Sequence, residues 1–547
     1  MKVFVIGLDG GTFDLIRPFA EQGHLPTLKK LMDSGAWSPL ESTVPPVTAS
    51  AWTSFMTGKN PGAHGLFDFM QRRKGSYDLA PVSSRDRDGK AVWEMAGEAG
   101  KQVIVMGVPV TYPPESVNGL MVTGMLTPRG ASDYTYPPAL KDEIQRAIGE
   151  YIVYSDEVYS KGRGEIFMQA LRHSIQQRAR AAAYLLHKYP WDLGVLVFPE
   201  TDTVCHGLWS SYDPTHHQHD PAEAAKFHDG ILQVYRQIDA ALGELIASFS
   251  PDTAVLVMSD HGHGPVRNFL YVNNFLKQKG YLKINPAPAS RLKTLAFDLG
   301  LTPRTVYSWL LALGLGKLRR TLDKRRGGRG LLKRFFLSFS DVDWSRTRAY
   351  SIGYIGEVHV NLKGREPQGI VEPGAEYEQV RDEIIRDLKQ LTLSDGAPLV
   401  ERLWKKEELY HGAHLDEAPD ILFLPKGLET IAFGDFEFGS NKILEPSYGV
   451  SSSHRMNGIL IAAGPPVQND VAFQGARLID LAPTILHLLE LPVPADMDGR
   501  VLTEALSDTR TVQIGGSAAS TNRDLAGYTD QEEAEVVERL KDLGYIS

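Results

Sequence analysis

Three short apolar segments, each followed within a few residues by an aspartate, constrain the fold of this chain more than any other feature. The segments are rich in β-branched residues, as buried strands are, and they span Lys2 to Leu8, Leu193 to Phe198 and Thr253 to Met258. The aspartates that follow are Asp9, Asp202 and Asp260. In an open α/β sheet, ligands bind in the crevice outside the carboxyl ends of the strands. The pattern therefore predicts three carboxylates at one edge of a sheet, although an aspartate at a strand end is also a common turn or helix-cap residue.

Two of these aspartates have a histidine nearby in the sequence. Asp202 and His206 are four residues apart, which on a helix places both side chains on one face, as in many ordinary surface pairs. Asp260 and His261 are adjacent, and both can face one point only at an irregular turn, which Gly262 permits. Carboxylate and imidazole ligands without thiolate suit divalent ions such as Zn²⁺ or Mn²⁺.

Thr48 follows two prolines and stands at the predicted start of a helix. A hydroxyl in this position commonly accepts a hydrogen bond from a free backbone N–H, and position alone favours this role as a helix cap. The start of a helix also presents N–H groups and the positive end of its dipole to a phosphate. The Thr48 hydroxyl is therefore also well placed to attack phosphorus.

In their order along the chain, these motifs resemble the alkaline phosphatase superfamily, and within it the type I phosphodiesterase and nucleotide pyrophosphatase branch. The motifs are GLDGG around Asp9, PPVTASAWTSFMTG around Thr48, the pair Asp202 and His206, SDHG around Asp260 and His261, and SSSHRMNG around His454. The resemblance covers most of residues 1–500. It implies an alkaline phosphatase-like α/β fold: a doubly wound, mixed or mostly parallel sheet with helices on both faces, carrying a cap and a helical insertion.

The resemblance also implies the chemistry. It implies two divalent metal ions, with zinc or manganese expected, and Thr48 as the nucleophile between them. One ion is assigned Asp202, His206 and His454, and the other Asp9, Asp260 and His261. The implied reaction is hydrolysis of a phosphodiester, in which Thr48 attacks phosphorus and water then cleaves the phosphothreonine.

Departures from the family pattern leave alternatives open. Nucleotide pyrophosphatases carry an asparagine three residues after the nucleophile, where this chain has Ala51, so a nucleotide-specific activity loses support. No C/S-x-P-x-R motif surrounds Thr48, which argues against a sulfatase. A phosphomonoesterase or a phosphoglycerate mutase-like enzyme is an alternative, and the intact ligand set argues against a binding protein without turnover. The candidate substrate-binding positions are Ala51, His216 and His263.

The chain is long enough for a catalytic core with insertions. We expect the core in two parts, residues 1–265 and 416–505, with a basic helical insertion at 266–345 and a cap segment at 346–415. Residues 506–547 are predicted to form a flexible linker and a final acidic helix. The apolar segments from Asp420 to Leu424 and from Gly458 to Ala463 are predicted to return to the main sheet.

The charge of the chain limits the kinds of partner that it can bind. The formal net charge of −9 argues against a nucleic acid polymer, and we expect a small phosphate ester as substrate. Residues 302–336 instead mix Arg and Lys with Leu and Trp, which suits peripheral contact with an anionic membrane. That contact would allow a second function, a membrane-surface transferase using a lipid-linked phospho-donor. The simpler interpretation is a solvated helical hairpin.

The remaining sequence features concern redox chemistry and location. A single cysteine, Cys205, excludes an intrachain disulfide, and we expect a buried structural thiol. No apolar run approaches the roughly 20 residues of a membrane span. Removal of a leader at the first strand would also remove Asp9. We therefore expect a cytoplasmic chain, with peripheral membrane contact as the alternative.

Overall fold

The fold is that of a computed structural model, which describes residues 1–306, 335–434, 438–507, 510–517, 527–543 and 545. Its strands are β1 (Lys2–Leu8), β2 (Ala36–Glu41), β3 (Met70–Arg72), β4 (Leu79–Pro81), β5 (Val103–Met106), β6 (Gly119–Val122), β7 (Thr135–Tyr136), β8 (Leu193–Phe198), β9 (Thr253–Met258), β10 (Gly262–Pro265), β11 (Asn268–Tyr271), β12 (Ala349–Tyr350), β13 (Glu357–Val360), β14 (Val400–Lys405), β15 (Ile421–Pro425), β16 (Thr430–Phe433), β17 (Leu444–Pro446), β18 (Ser452–Arg455), β19 (Asn457–Ala463), β20 (Val471–Ala472), β21 (Ala476–Arg477), β22 (Val493–Pro494) and β23 (Ile514–Gly515).

The α-helices of the described residues are α1 (Phe13–Glu21), α2 (Pro26–Asp33), α3 (Thr48–Thr57), α4 (Pro61–His64), α5 (Val92–Glu98), α6 (Leu140–Ile148), α7 (Gly164–Lys188), α8 (Glu200–Tyr212), α9 (Pro221–Phe227), α10 (Gly230–Ala247), α11 (Val272–Lys279), α12 (Pro288–Asp298), α13 (Ala375–Leu388), α14 (Leu481–Leu488) and α15 (Asp530–Asp542). Short 3₁₀ turns occur at Phe339–Asp341, Trp344–Arg346, Lys406–Glu408, Leu415–Glu417, Lys426–Leu428, Leu478–Asp480 and Thr503–Ala505.

The three apolar segments that precede the aspartates are neighbours in one large sheet. β1 lies between β8 and β9 and is parallel to both. Across the described residues the order is β20-β2-β19-β9-β1-β8-β5-β6-β7, with β21 also paired to β2. β19 and β7 run antiparallel to their neighbours, whereas β5 and β6 continue the parallel arrangement. This confirms the predicted mixed, mostly parallel α/β sheet.

Alternate side chains of the central strand enter apolar clusters on opposite faces of this sheet. Phe4 and Ile6 belong to one cluster, and Val3 and Val5 belong to the other. Helices α1, α2, α6, α7, α8 and α10 contribute side chains to the first cluster, and α3, α5 and α14 contribute to the second. A strand that is buried on both faces reads as a continuous apolar run, which is why β1, β8 and β9 were recognisable in the sequence.

A second, smaller sheet has the order β12-β13-β15-β14 and is antiparallel. Helix α13 contributes to the same apolar cluster as this sheet. The prediction that Asp420 to Leu424 returns to the main sheet was wrong, because Ile421–Pro425 pairs with β13 and β14. An apolar run predicts a buried strand but does not choose its sheet. The segment from Gly458 to Ala463 does return to the main sheet, within β19.

The segment expected to be a basic helical insertion is only partly described. Its beginning contains β11, which pairs with β16 and β17, and the helices α11 and α12. Most of the basic stretch expected at 302–336 falls on residues 307–334, which lie outside the described residues. Over the described ranges, no helix combines the length and the apolar character needed to cross a bilayer.

Helix α15 packs on the core through both apolar and polar contacts. Val536 and Leu540 are buried. Arg539 Nη1 donates a hydrogen bond of 2.6 Å to the Thr127 carbonyl oxygen. At the other end of the helix, the Tyr112 hydroxyl donates to Glu532 over 2.9 Å. Helix α15 is therefore held against the main part of the molecule, and Tyr545, which follows it, is buried.

Candidate active site

Three buried carboxylates meet at the carboxyl end of the main sheet. Asp9 follows β1, Asp260 follows β9, and Asp202 lies in the first turn of α8, directly after β8. All three side chains are buried. Because β1, β8 and β9 are adjacent and parallel, their carboxyl ends lie together. The sheet therefore brings together aspartates that are far apart in the sequence.

Asp9, Asp260 and His261 form one group of possible metal ligands. His261 Nε2 lies 3.2 Å from Asp260 Oδ2 and 3.8 Å from Asp9 Oδ1. The ligand atoms of the three residues all lie within 4.8 Å of one another. The adjacent Asp260 and His261 can converge because the chain leaves β9 at Met258 and enters β10 only at Gly262. These are the three residues that the resemblance assigns to one ion.

Asp202 lies among three histidines. Its Oδ1 atom is 3.3 Å from His206 Nε2, 3.2 Å from His263 Nε2 and 3.8 Å from His454 Nε2. Two groups have ligand atoms within 4.8 Å of one another: Asp202 with His206 and His263, and Asp202 with His261 and His454. The ring of His454 is stacked on that of His261, with centroids 3.6 Å apart. The structure thus places His263 beside the set of Asp202, His206 and His454 that the resemblance assigns to the other ion.

Several of the atoms that these side chains turn toward one another have no hydrogen-bond partner among the described residues. They are Asp9 Oδ1, Asp202 Oδ1, Asp260 Oδ2 and the Nε2 atoms of His206, His263 and His454. Buried polar atoms are almost always paired, because leaving one unpaired costs free energy. Carboxylate and imidazole atoms left unpaired in one cluster fit the ligand requirements of divalent cations.

Backbone carbonyls orient two of the imidazoles from behind. His206 Nδ1 lies 3.0 Å from the Ser452 carbonyl oxygen, and His454 Nδ1 lies 2.7 Å from the Pro46 carbonyl oxygen. A hydrogen on each Nδ1 donates to its carbonyl, which leaves Nε2 as the free lone pair. Metal-ligating histidines are typically held in this way.

Burial and mutual charge set the protonation of the cluster. Burial raises the pKa of Asp9, and the charges of Asp260 and Asp202 raise it further. Burial also raises the pKa of Asp260. For Asp202, burial acts in the same direction, but His206, His263 and His454 hold its pKa well below the usual range. The three carboxylates therefore repel one another when they are ionised, and a cation bound between them would relieve this repulsion.

Thr48 is the first residue of α3, with Val47 in the cap position, so the hydroxyl is not the helix cap. Thr48 Oγ1 lies 3.2 Å from His261 Nε2, and the side chain is fully buried. His261 Nδ1 lies 3.0 Å from the Gly262 carbonyl oxygen. With the ring hydrogen on Nδ1, Nε2 accepts a hydrogen bond from the Thr48 hydroxyl. The nucleophile candidate therefore faces the ligand cluster.

Sequence reasoning missed the donors that hold the second oxygen of each carboxylate. Trp52 Nε1 donates to Asp9 Oδ2 over 3.0 Å, and the Gly10 backbone N–H donates to Asp260 Oδ1 over 3.2 Å. The Tyr545 hydroxyl donates to Asp202 Oδ2 over 2.8 Å. Trp52 lies one helical turn after Thr48 on α3, so the spacing in the sequence could have placed its side chain on the same face as Thr48. Tyr545 is separated from Asp202 by most of the chain, and no sequence pattern connects the two.

The three candidate substrate-binding residues have different surroundings. Ala51 is fully buried and belongs to the apolar cluster on one face of the main sheet. His216 Nε2 lies 2.8 Å from the Val266 carbonyl oxygen, and its Nδ1 accepts from the Gln218 backbone N–H over 3.1 Å. The contacts of these two residues therefore serve packing and loop structure. His263 alone of the three is brought into the cluster around Asp202.

Comparison with known proteins identifies the class of this chain. Residues 3–432 match the family model of the type I phosphodiesterases and nucleotide pyrophosphatases. The chain therefore belongs to this family, which lies within the alkaline phosphatase superfamily and consists of metal-dependent hydrolases. The resemblance proposed from the motifs is confirmed.

Solved structures share the fold at low sequence identity. Phosphonoacetate hydrolase from Sinorhizobium meliloti 1021, in complex with phosphonoformate, has a TM-score of 0.54 and 14% identity, covering 90% of this chain and 95% of that chain. Human ectonucleotide pyrophosphatase/phosphodiesterase 5 has a TM-score of 0.50 and 12% identity, covering 93% of this chain and 100% of that chain. An inactive form of the murine protein in complex with AMP has a TM-score of 0.50 and 14% identity, with the same coverage. No curated protein sequence matches this chain.

Proposed function

We propose that this chain hydrolyses a small phosphodiester through a covalent phosphothreonine on Thr48, with two divalent metal ions bound beside it. The observation that carries the proposal is the position of Thr48 Oγ1, 3.2 Å from His261 Nε2 at the start of α3. The same buried cluster contains carboxylate oxygens and imidazole nitrogens without hydrogen-bond partners among the described residues.

The residues present fit two ions. Asp9, Asp260 and His261 would hold one, and Asp202, His206 and His454 would hold the other. When bound, such ions stabilise an alkoxide and neutralise charge on the phosphoryl oxygens. Oxygen and imidazole donors suit zinc, which is our first choice, and manganese.

The chain's own groups define the reaction steps. The Thr48 hydroxyl loses its proton as Oγ1 bonds to phosphorus, and the bond from phosphorus to the leaving alcohol breaks as that alcohol takes up a proton. Free N–H groups and the positive dipole end of α3 favour the negative phosphoryl oxygens. Water then attacks phosphorus from the opposite side, which breaks the bond to Oγ1. This step restores the Thr48 hydroxyl and releases a phosphate monoester.

The charge around Thr48 favours a diester over a monoester. Within the described part of the chain, no Lys or Arg forms a hydrogen bond or ion pair with Thr48 or with the proposed ligand side chains. A phosphate monoester carries a charge of about −1.5 to −2 at neutral pH, whereas a diester carries a single negative charge. Two of the solved structures are complexes with AMP, a phosphate monoester, and with phosphonoformate, a phosphonate, which supports a small phosphate or phosphonate compound as ligand. A cytoplasmic location remains part of the proposal.

The proposal is tested with metal-loaded protein and two chromogenic esters, bis(nitrophenyl) phosphate and nitrophenyl phosphate. We expect the diester to be cleaved faster and Thr48→Ala to lower kcat by about 10⁴-fold or more, because removing a nucleophile costs this much in comparable enzymes. Thr57→Ala is the matched control, since its hydroxyl lies on the same helix, donates to the Thr53 carbonyl oxygen and accepts from the Lys59 backbone N–H, and so bonds backbone groups and not a proposed metal ligand.

Two results would overturn parts of this proposal. Equal loss of activity in Thr48→Ala and Thr57→Ala would assign the effect to the helix and not to the nucleophile. Faster cleavage of the monoester would make the chain a phosphomonoesterase.

A further inference from the structure

His263 is a buried imidazole that the resemblance does not assign to either metal ion. It lies in β10, and its side chain is fully buried. Neither Nδ1 nor Nε2 has a hydrogen-bond partner among the described residues. A buried polar group that loses water and gains no hydrogen bond costs about 1–3 kcal/mol. The position of His263 therefore needs a compensating interaction within the cluster itself.

The two short strands β10 and β18 present a pair of histidines to the cluster. They are antiparallel, and His263 is directly opposite His454. Opposed residues of antiparallel strands project from the same face, with Cβ atoms about 4.5–5.5 Å apart. Helix α8 presents Asp202 and His206 four residues apart, on one face of one turn. A helical pair and a cross-strand pair thus face each other.

The nitrogens of these histidines converge on one carboxylate oxygen. Asp202 Oδ1 lies 3.2 Å from His263 Nε2, closer than it lies to His454 Nε2 at 3.8 Å. The rings of His206 and His263 have centroids 4.5 Å apart. The ligand atoms of Asp202, His206 and His263 fall within 4.8 Å of one another, a spacing compatible with a shared cation. His454 meets the same limit together with Asp202 and His261, so a shell of four ligands requires His454 Nε2 to move toward His206 and His263 when the ion binds.

We propose that His263 is a fourth protein ligand of the ion that Asp202, His206 and His454 would hold. This inference rests on the proposed function and extends it, since the resemblance assigns only the other three ligands. One carboxylate oxygen and three imidazole nitrogens already fill a four-coordinate shell. An ion that also contacts substrate at this centre must therefore accept five or more ligands.

The competing explanation is a hydrogen bond from His263 to Asp202. It would make His263 a positioning residue and would leave the coordination number of the ion unchanged. It would also leave Nδ1 without a partner. Coordination number is therefore the property that separates the two explanations.

The test uses cobalt(II)-loaded full-length protein, whose visible spectrum reports coordination number, together with metal content and metal affinity. His263→Phe keeps a ring beside Trp209, which lies 5.9 Å away in a stacked arrangement, and removes both nitrogens. We expect the affinity for one of the two ions to fall by more than about 100-fold, because losing only a partner of a ligand costs about 10–100-fold. The spectrum should shift toward lower coordination. His173→Phe, an exposed histidine on α7, should change neither quantity.

Each other outcome has a defined meaning. Unchanged affinity and spectrum in His263→Phe overturn the inference, and weaker binding with an unchanged spectrum overturns it in favour of a positioning role. Asp202→Asn separates this failure from failure of the proposed function: if that variant also keeps both ions with unchanged affinity, Asp202 does not hold an ion and the proposed metal centre fails as a whole. If His263→Phe does not fold, His263→Leu is measured in the same way, with the same expected loss.

Discussion

Tyr545 is the residue whose role at the site depends most on tertiary structure. Its hydroxyl donates to Asp202 Oδ2 over 2.8 Å, which leaves Oδ1 as the free oxygen. Its ring lies against those of His206 and His454, with centroids 5.5 Å and 5.7 Å away. A partner that fixes one oxygen of a ligating carboxylate orients the other toward the metal. In the proposed metal centre, Tyr545 would therefore be a positioning residue for Asp202.

Tyr545→Phe should weaken metal binding at the Asp202 centre by about 10–100-fold, because it removes the hydroxyl and keeps the ring. Metal titration by calorimetry measures the effect. Tyr528→Phe is the matched control, since the Tyr528 hydroxyl donates to the Leu126 carbonyl oxygen and not to a ligand. Equal effects of the two substitutions would show that the hydroxyl of Tyr545 does not position Asp202.

His64 links helix α3 to the loop that follows it, and its protonation should make this contact depend on pH. Its Nδ1 accepts from the Leu66 backbone N–H over 3.2 Å, so its hydrogen lies on Nε2, which donates to Ser54 Oγ over 2.9 Å. Burial lowers the pKa of His64 from 6.5 to about 3. Because the pKa is depressed in the folded state, the contribution of His64 to stability is present above pH 6.5 and is lost as pH falls toward 3.

His64→Gln should therefore flatten the decrease in the free energy of unfolding as pH falls from 6.5 toward 3. Urea unfolding of metal-loaded protein at several pH values measures this slope. His173→Gln, at an exposed position, should keep the wild-type slope. If His64→Gln and wild type lose stability in parallel, His64 does not titrate with folding.

At the scale of elements, α15 holds Tyr545 in place. Leu540 is fully buried and belongs to the apolar cluster that contains Phe69, Tyr354 and Tyr545. Truncating a buried leucine costs about 2–5 kcal/mol. The helix has few other buried apolar side chains. Truncating Leu540 should therefore weaken the packing of α15 on the core more than it destabilises the main sheet.

Leu540→Ala should therefore raise hydrogen exchange in residues 530–542 and weaken metal binding at the Asp202 centre together. Hydrogen-exchange mass spectrometry and calorimetric titration measure the two effects. Glu538→Ala is the control, at an exposed position on the same helix. Faster exchange in α15 without any change in metal affinity would show that the docking of this helix does not support metal binding at Asp202.

Elements with strong local signals were predictable. β1, β8 and β9 are continuous apolar runs because both faces of the sheet are covered, and the aspartates that follow them mark the edge where ligands bind. The sequence could not predict which sheet β15 joins, because an apolar run indicates burial but does not identify the neighbouring strand. The contact of Tyr545 with Asp202 joins distant parts of the chain. The direction of His263 depends on the pairing of β10 with β18, which no local pattern encodes.

At the scale of the whole molecule, we expect cations to stabilise the fold, because three buried carboxylates meet at the carboxyl end of one sheet. An ion that binds only the folded chain stabilises it by about 2.7 kcal/mol at a hundredfold excess over Kd. Chelation should therefore lower Tm, and zinc or manganese should restore it, in thermal unfolding followed by circular dichroism. In Asp202→Asn the decrease on chelation should be smaller. An unchanged Tm on chelation of the wild type would argue against bound ions.

Acid quenching during turnover of bis(nitrophenyl) phosphate, followed by peptide mass spectrometry, tests directly whether Thr48 forms the covalent intermediate. The expected result is a nitrophenyl phosphate adduct on the peptide that contains Thr48, located on Thr48 itself and absent from Thr48→Ala. An unmodified Thr48 peptide, together with full diester turnover by Thr48→Ala, would contradict it.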